Sequence, residues 1–222
     1  MNDDLGYGIY PHVFPRADMD GIALAMTAET VERTKAGARH VLRVPTVRAL
    51  ANQPRLLDIA RWFVGCAPVP FRATLFDKSP RSNWLVVWHQ DTALPLCDRV
   101  DTPGWGPWSV KAGVLYAHAP AWALEQVVAL RVCLDDSTGA NGPLRVLPNS
   151  HRQGVLTDEQ VARIVRDASP IDCLADAGGV VAMRPLTIHA SSKTTSDQPR
   201  RVLHIEYAAN VQLADGATLA VG

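Results

Sequence analysis

Trp84-Leu-Val-Val-Trp-His-Gln-Asp91 is the stretch on which the fold turns. Trp84 to Trp88 is aromatic and β-branched, the composition of a buried strand, and the run ends on a His-x-Asp pair. Side chains two apart on a strand share a face, so His89 and Asp91 are expected to present an imidazole and a carboxylate to the same side. A carboxylate at the end of an apolar strand is costly to bury without a cation or several donors, and a divalent metal would meet that need. Further on, Val180-Val-Ala-Met183 forms another apolar run that continues past Pro185 to His189. Two imidazoles and one carboxylate on one face of a metal leave the other positions open, the arrangement used by non-haem iron(II) oxygenases. Arg200 follows at a place where it would anchor an acidic cosubstrate, because a guanidinium is always charged and grips a carboxylate bidentately.

Outward from that stretch the chain changes character once. Before it the pattern is helical: Asp20 is a candidate cap for a segment through Thr34 with Ile22, Met26 and Val31 on one face. Val47 to Val64 is a second periodic segment, interrupted at Pro54, with Leu57, Ala60, Phe63 and Val64 as its apolar stripe and Gly65 as its stop. From Phe71-Arg-Ala-Thr-Leu-Phe76 onward short strands dominate. Ala129 to Leu134 and Leu144 to Leu147 read as a hairpin across the polar stretch from Asp135 to Gly142. Thr157 and Gln160 form a capping box ahead of Val161, Ile164 and Val165. Gly178-Gly179 turns the chain into Val180, and Arg201 to Tyr207 is the last clear strand. Helices followed by many short strands predict a β-sandwich or barrel buttressed by helices on one side. Thr102-Pro-Gly-Trp-Gly-Pro-Trp108 suits a loop over a site.

Composition narrows the partners. The 222 residues fit one domain and can bury roughly 70% of the unfolded surface. Lys plus Arg and Asp plus Glu number 22 each, so no basic excess points to nucleic acid or an anionic membrane, and a small-molecule substrate is expected. Cys66, Cys97, Cys133 and Cys173 form no Cys-x-x-Cys and read as reduced core thiols. Met1-Asn-Asp-Asp-Leu5 lacks the basic and apolar regions of a secretory signal, and no apolar run reaches the roughly 18 residues of a membrane span. A cytoplasmic protein is the expectation, of unspecified oligomeric state.

Several motifs in order carry a resemblance. Phe76-Asp-Lys-Ser-Pro-Arg-Ser-Asn-Trp-Leu-Val-Val-Trp-His-Gln-Asp91, Leu130-Arg-Val-Cys-Leu-Asp135, Asn141-Gly-Pro-Leu-Arg-Val-Leu-Pro-Asn-Ser-His151, and His189-Ala-Ser with Pro199-Arg200 resemble the phytanoyl-CoA dioxygenase family over roughly residues 36 to 209. The resemblance implies a double-stranded β-helix, or cupin-like jelly roll, mainly β with flanking helices. The whole chain, 1–222, would be one oxygenase domain with a helical part at 18–65 and a jelly-roll core at 71–209. It implies iron(II) held by His89, Asp91 and His189, with 2-oxoglutarate and O2 as cosubstrates and Arg200 on the far carboxylate of 2-oxoglutarate. The expected reaction is hydroxylation of a small molecule with release of succinate and CO2. An intact Asp91 argues against halogenation, since related halogenating enzymes lack that carboxylate, and leaves desaturation or ring formation open.

Further residues are candidates around that centre. Ser191 shares a face with His189 and is placed to donate its hydroxyl to the cosubstrate. Arg131 occupies a strand position that often touches 2-oxoglutarate in the family, and a buried Arg needs an anion or carbonyl partner. Lys78, Asn83 and Thr74 flank the approach to the metal pair, where they would reach the cosubstrate or hold a turn. Trp88, Trp105 and Trp108 are candidate walls of a substrate pocket. His151 reads as a turn residue, and His12, His40, His118 and His204 as structural or exposed. Residues 92–126 depart from better-known members and are expected to set selectivity, and no Lys/Arg cluster marks a CoA phosphate site. Two other readings stay open: a cupin-type metal-dependent hydrolase or isomerase, which would not need Arg200, and a non-catalytic jelly-roll binding protein.

Overall fold

The computed structural model describes residues 5–28, 33–34, 36–65 and 67–222; Val31, Cys66 and Met1 to Asp4, named above, lie outside the described residues. Strand β1 (Tyr7–Tyr10) precedes helix α1 (Arg16–Ala28), the short strands β2 (Arg33–Thr34) and β3 (Gly37–Ala38), and helices α2 (Pro45–Ala51) and α3 (Pro54–Val64). Strands β4 (Val69–Lys78), β5 (Val86–His89), β6 (Ala93–Leu96), β7 (Trp108–Lys111) and β8 (Val114–His118) then lead through the single turn α4 (Ala121–Leu124) to β9 (Val127–Cys133) and β10 (Leu144–Val146). Helix α5 (Asp158–Arg166) and strands β11 (Ile171–Cys173), β12 (Val180–Met183), β13 (His189–Ser191) and β14 (Arg200–Ala208) follow. No helix is long and apolar enough to cross a membrane among the described residues.

The strands form a seven-stranded sheet ordered β1-β12-β9-β14-β4-β3-β2, a four-stranded sheet ordered β11-β10-β13-β5 and a three-stranded sheet ordered β6-β8-β7. Pairing is antiparallel throughout the described strands, and the architecture is mainly β, the double-stranded β-helix with helices on one side.

The large sheet is two-faced, and the alternation of its strands explains both the core and the site. On the outer face Ala73, Leu75, Leu130, Val132, Leu203, Ile205 and Tyr207 pack against Met19, Met26, Val47, Leu56, Ala60 and Phe63 of α1 to α3. The intervening residues face the four-stranded sheet: Arg72, Thr74, Phe76 and Lys78 on β4 stand opposite Glu206, His204, Val202 and Arg200 on β14, and His204 opposite Arg131 on β9. Apolar contact between the two sheets comes from Ala129, Val181 and Met183 meeting Leu144, Val146 and Cys173. At about 25 cal/mol per Å² of apolar surface the outer face is the main adhesive, which leaves the inner face to carry polar groups.

Helix boundaries follow proline. Pro45 and Pro54 each occupy the first turn of α2 and α3, where a missing N–H costs nothing, so Pro54 begins a helix as well as interrupting the segment. Gly65, at φ 89°, ends α3. Helix α1 starts at Arg16, directly after Pro15, and not at Asp20. The Thr157/Gln160 capping box is formed, with both reciprocal bonds present.

The expected hairpin is corrected: β9 pairs with β12 and β14, whereas β10 pairs with β11 and β13 in the other sheet. The polar stretch between them is a crossing from one sheet to the other. Gly142 in it requires glycine, since it has φ 68° and a Cβ there would meet the Ser192 carbonyl oxygen at 2.3 Å. Cys133 and Cys173 are buried thiols, but Cys97 is exposed, its Sγ 3.6 Å from the Leu219 carbonyl.

Candidate active site

Strand β5 aims its side chains through an irregularity. Its register against β13 shifts, His189 opposing His89 while Ser191 opposes Val86. The extra residue is a bulge, which lets Val86 and His89 both face the interior while Val87 stays 67% exposed. Asp91 lies beyond the end of β5, with its N–H donating to the Pro185 carbonyl at 2.9 Å. Between the two, Gln90 turns the opposite way, donating to the Gly154 and Leu186 carbonyls and accepting from the Leu156 N–H. The pair thus shares a side as alternation predicts, though a strand supplies only one of its members.

His89, Asp91 and His189 offer ligand atoms that all lie within 4.8 Å of one another. His89 Nδ1 is 2.8 Å from the Val87 carbonyl and His189 Nδ1 is 2.9 Å from the Thr187 carbonyl. A carbonyl only accepts, so Nδ1 of each ring is a donor, which leaves Nε2 as the atom each imidazole could offer a metal. Those two Nε2 atoms stand 3.5 Å from Oδ1 and Oδ2 of Asp91. Ligands about 2.0–2.2 Å from a common ion are themselves roughly 3–3.5 Å apart, so the donor set fits one divalent metal. Burial works to raise the Asp91 carboxyl, but His189 and His89 outweigh it and hold it well below the usual carboxylate range. Burial pushes the His189 imidazole down to about 4, which keeps it neutral, the form a metal requires.

A cavity of about 190 Å³ runs from this triad between the two large sheets. Phe76, Trp84, Val86 and Leu144 give it apolar walls, and Arg131, Ser191 and Arg200 stand in its lining. Arg200 is 2% exposed; its Nε donates to the Asn141 carbonyl and its Nη2 to Ser191 Oγ. Lys78, 1% exposed, donates to Ser191 Oγ at 2.8 Å and to the Ser192 carbonyl. Arg131 has Nη1 3.1 Å from His204 Nδ1 and its guanidinium 5.2 Å over the Phe76 ring. None of the three cations has a carboxylate partner among the described residues. Burial, then the Arg131 charge, lowers Arg200 to about 10, and burial, then Arg200 and Arg131, lowers Lys78 to about 8. Buried cations crowded together without an anion form a receptor for one.

A match to the phytanoyl-CoA dioxygenase family spans residues 23–202. The chain belongs to this family. It is 25% identical over 184 residues to the L-proline trans-4-hydroxylase of Streptomyces griseoviridis, an alignment that takes in 71% of this chain and 61% of that protein's length. Among solved structures it is similar to EctD from S. alaskensis, with a TM-score of 0.71, 19% identity and coverage of 94% of this chain and 74% of that one. The α-ketoglutarate-dependent epimerase SnoN, in a complex with Fe3+, α-ketoglutarate and nogalamycin RO, superposes with a TM-score of 0.70 at 18% identity, covering 99% and 83% of the two chains. The non-haem monooxygenase ThoJ gives 0.73 at 20% identity, covering 100% and 82%. These likenesses establish the shared fold.

Within this family member several expected roles move. Ser191 does reach the cavity, but its hydroxyl proton goes to the Gly142 carbonyl at 2.8 Å and its oxygen accepts from Lys78 and Arg200, so it aligns the two cations. Asn83 is corrected: its amide is engaged at both ends by the Thr194 backbone, tying two loops together away from the cavity. Thr74 stands in the cavity lining. The three tryptophans are corrected as well. Trp88 packs with Leu147, Val161 and Ile188 beneath α5, because the bulge turns it outward. Trp105 and Trp108 pack on the cluster around Leu94, Leu96 and Ala123, with the Trp105 indole donating to Asp215 at 2.6 Å. Their loop braces β8, Gly106 N–H donating to the His118 carbonyl at 2.8 Å, and neither ring is among the residues that line the cavity at the triad. Trp84 is the tryptophan that lines the cavity.

His204, read from sequence as structural or exposed, is buried in the cavity wall. Buried Glu206 and partly buried Arg72, which also lines the cavity, pair side chain to side chain beside it, and Glu206 keeps Arg72 charged against the cost of desolvation. The signal that finds them is period two counted from Arg200, which gives Val202, His204 and Glu206 one face. His151 packs over Gly6 in the turn at 150–153, and His118 accompanies Thr92 at 2.7 Å.

Proposed function

We propose that this chain is an iron(II)- and 2-oxoglutarate-dependent oxygenase that hydroxylates a small molecule. The observation that carries the reading is one cavity lined by a His–Asp–His donor set and by Arg200 and Arg131, buried cations lacking an acid partner, with a third, Lys78, behind Ser191 of the lining. A molecule that chelates a metal at one end and carries a carboxylate at the other fits both ends at once, and 2-oxoglutarate is such a molecule. His89 Nε2, Asp91 and His189 Nε2 would hold the iron, and Arg200, aligned by Ser191 and the Asn141 carbonyl, would receive the far carboxylate. Iron and 2-oxoglutarate together supply the oxidising chemistry, O2 being consumed as succinate and CO2 are released and a C–H bond is hydroxylated. The protein's part is to orient these groups and keep water out with Phe76, Trp84, Val86 and Leu144. The likeness to a proline hydroxylase and the structures solved with 2-oxoglutarate or α-ketoglutarate support the reading.

We further assign the chain to a single oxygenase domain, the helices of 18–65 buttressing the jelly-roll core of 71–209, and place it in the cytoplasm, where the buried unpaired thiols Cys133 and Cys173 would stay reduced. Calorimetric titration with 2-oxoglutarate in the presence of Mn(II), followed by a succinate assay with Fe(II) and O2, tests the function. Binding of 2-oxoglutarate that needs the metal, and succinate above a metal-free control, are the expected results. A cupin-type hydrolase or isomerase would show neither.

A further inference from the structure

A second cavity, of about 290 Å³, adjoins the first and shares Arg72, Thr74, Phe76 and Asp91 with it. It therefore opens on a metal-ligand position from the side away from Arg200, the place for the molecule that is oxidised. Among the described residues its only acidic lining residue is Asp91, whereas Arg39, Arg72 and Lys111 contribute three positive charges. Arg72 is matched by Glu206, and Asp91 belongs to the donor set. Arg39 and Lys111 are left over: neither forms an ion pair among the described residues.

The two come from different sheets, Arg39 directly after β3, next to the edge strand of the large one, and Lys111 at the end of β7 in the small one. The Lys111 ammonium lies 5.3 Å from the Tyr116 ring centre, and the Arg72 guanidinium lies 5.5 Å from the same ring, so a cation is held on the aromatic wall although like charges surround it. Partial desolvation first, then Arg39 and Arg72, lowers the ammonium of the exposed Lys111 below its ordinary range, and Asp91 is the one group that offsets them. A divalent metal on Asp91 would remove that offset and make the mouth more positive still. Groups placed this way attract and orient an anion, and the volume suits a small molecule.

We infer that Arg39 and Lys111 recognise an oxyanion, a carboxylate or a phosphate, on the substrate itself, so that the substrate class is a small organic acid or phosphate ester. This rests on the oxygenase reading above.

The test is calorimetry on the full chain loaded with Mn(II) and 2-oxoglutarate, which binds without turnover, using probes in matched pairs: cyclopentanecarboxylate with cyclopentanecarboxamide, phenylacetate with phenylacetamide, and glycerol 3-phosphate with glycerol. Anionic members should bind at least tenfold more tightly than their neutral partners. That preference should fall to less than threefold in R39Q/K111Q and be partly reduced in each single variant; both positions are exposed, so the variants should fold, and their melting temperatures check it. A response confined to the acids or to the phosphate ester decides between the two oxyanions. Neutral partners binding equally well, no anionic probe binding better than its partner, or an undiminished preference in the double variant would each overturn the inference. Failure of 2-oxoglutarate to bind at the loading step would instead overturn the oxygenase reading.

Discussion

Lys78 and Arg200 stand directly opposite each other on β4 and β14 and donate to the same acceptor, Ser191 Oγ, at 2.8 and 3.3 Å. Two buried cations on one hydroxyl oxygen repel each other until an anion joins them. Arg200→Ala should therefore weaken 2-oxoglutarate binding by about 2–5 kcal/mol, since it strips a buried carboxylate of its partner. Arg200→Lys should recover little, because an ammonium lacks the two-pronged geometry. Calorimetry with Mn(II) present reads both; an Arg200→Ala protein binding as tightly as wild type would refute the role.

The Lys78 ammonium gives a pH signature. Burial, with Arg200 and Arg131, lowers it to about 8 from the usual 10.5. Between those values the unfolded chain binds more protons at this site than the folded one, so Lys78 makes the ligand-free protein gain stability as pH rises through that window. A dicarboxylate favours the protonated form, so 2-oxoglutarate affinity should fall as pH climbs past 8, with proton uptake on binding. Titration in two buffers of different ionisation enthalpy measures that uptake, and Lys78→Met should abolish it.

The donor set should take up one metal ion per chain. Excess metal at a hundred times its dissociation constant would stabilise the fold by about 2.7 kcal/mol. Asp91→Ala should abolish that rise in a melting experiment with Mn(II), and a chelator should reverse it in wild type.

Gln90 sets the separation of its two neighbours from behind, through bonds to Gly154, Leu186 and Leu156. Gln90→Ala should cost about 1–3 kcal/mol in a denaturant melt, from the backbone groups it leaves unpaired. Metal affinity should also fall, roughly 10–100-fold. Stability loss with unchanged metal affinity would reduce Gln90 to a structural clamp.

On the opposite face of β14, Leu203 is fully buried against the helices. Leu203→Ala should lower stability by about 2–5 kcal/mol through the cavity it leaves, while metal and 2-oxoglutarate affinity at low temperature stay near wild type.

Much of this was legible in the chain because period two is a strong constraint. His89 with Asp91, and Arg200 with its outward neighbour Arg201 bound to Asp135, read directly from alternation. The same rule applied further along β14 would also have placed His204 and Glu206 indoors. Two features were not legible. The crossing between β9 and β10 looks like a hairpin because a polar stretch with Gly142 serves either connection, and only long-range pairing decides. The tryptophans could not be sorted because burial in a core and exposure to a cavity demand the same side chain; the bulge in β5, invisible in composition, turned Trp88 outward and left Trp84 on the inside.

Strand β14 carries grease for the helices and chemistry for the cavity on alternate residues, which restricts how its gene segment can change length. Gaining or losing a single codon upstream of Glu206 would exchange the two faces, sending Leu203 and Ile205 to the metal and Arg200 and His204 into the helical layer. A substitution disturbs one position of this strand, whereas an odd-numbered length change disturbs many at once, except past Glu206, where its pairing with β4 already slips a step and could absorb the extra residue.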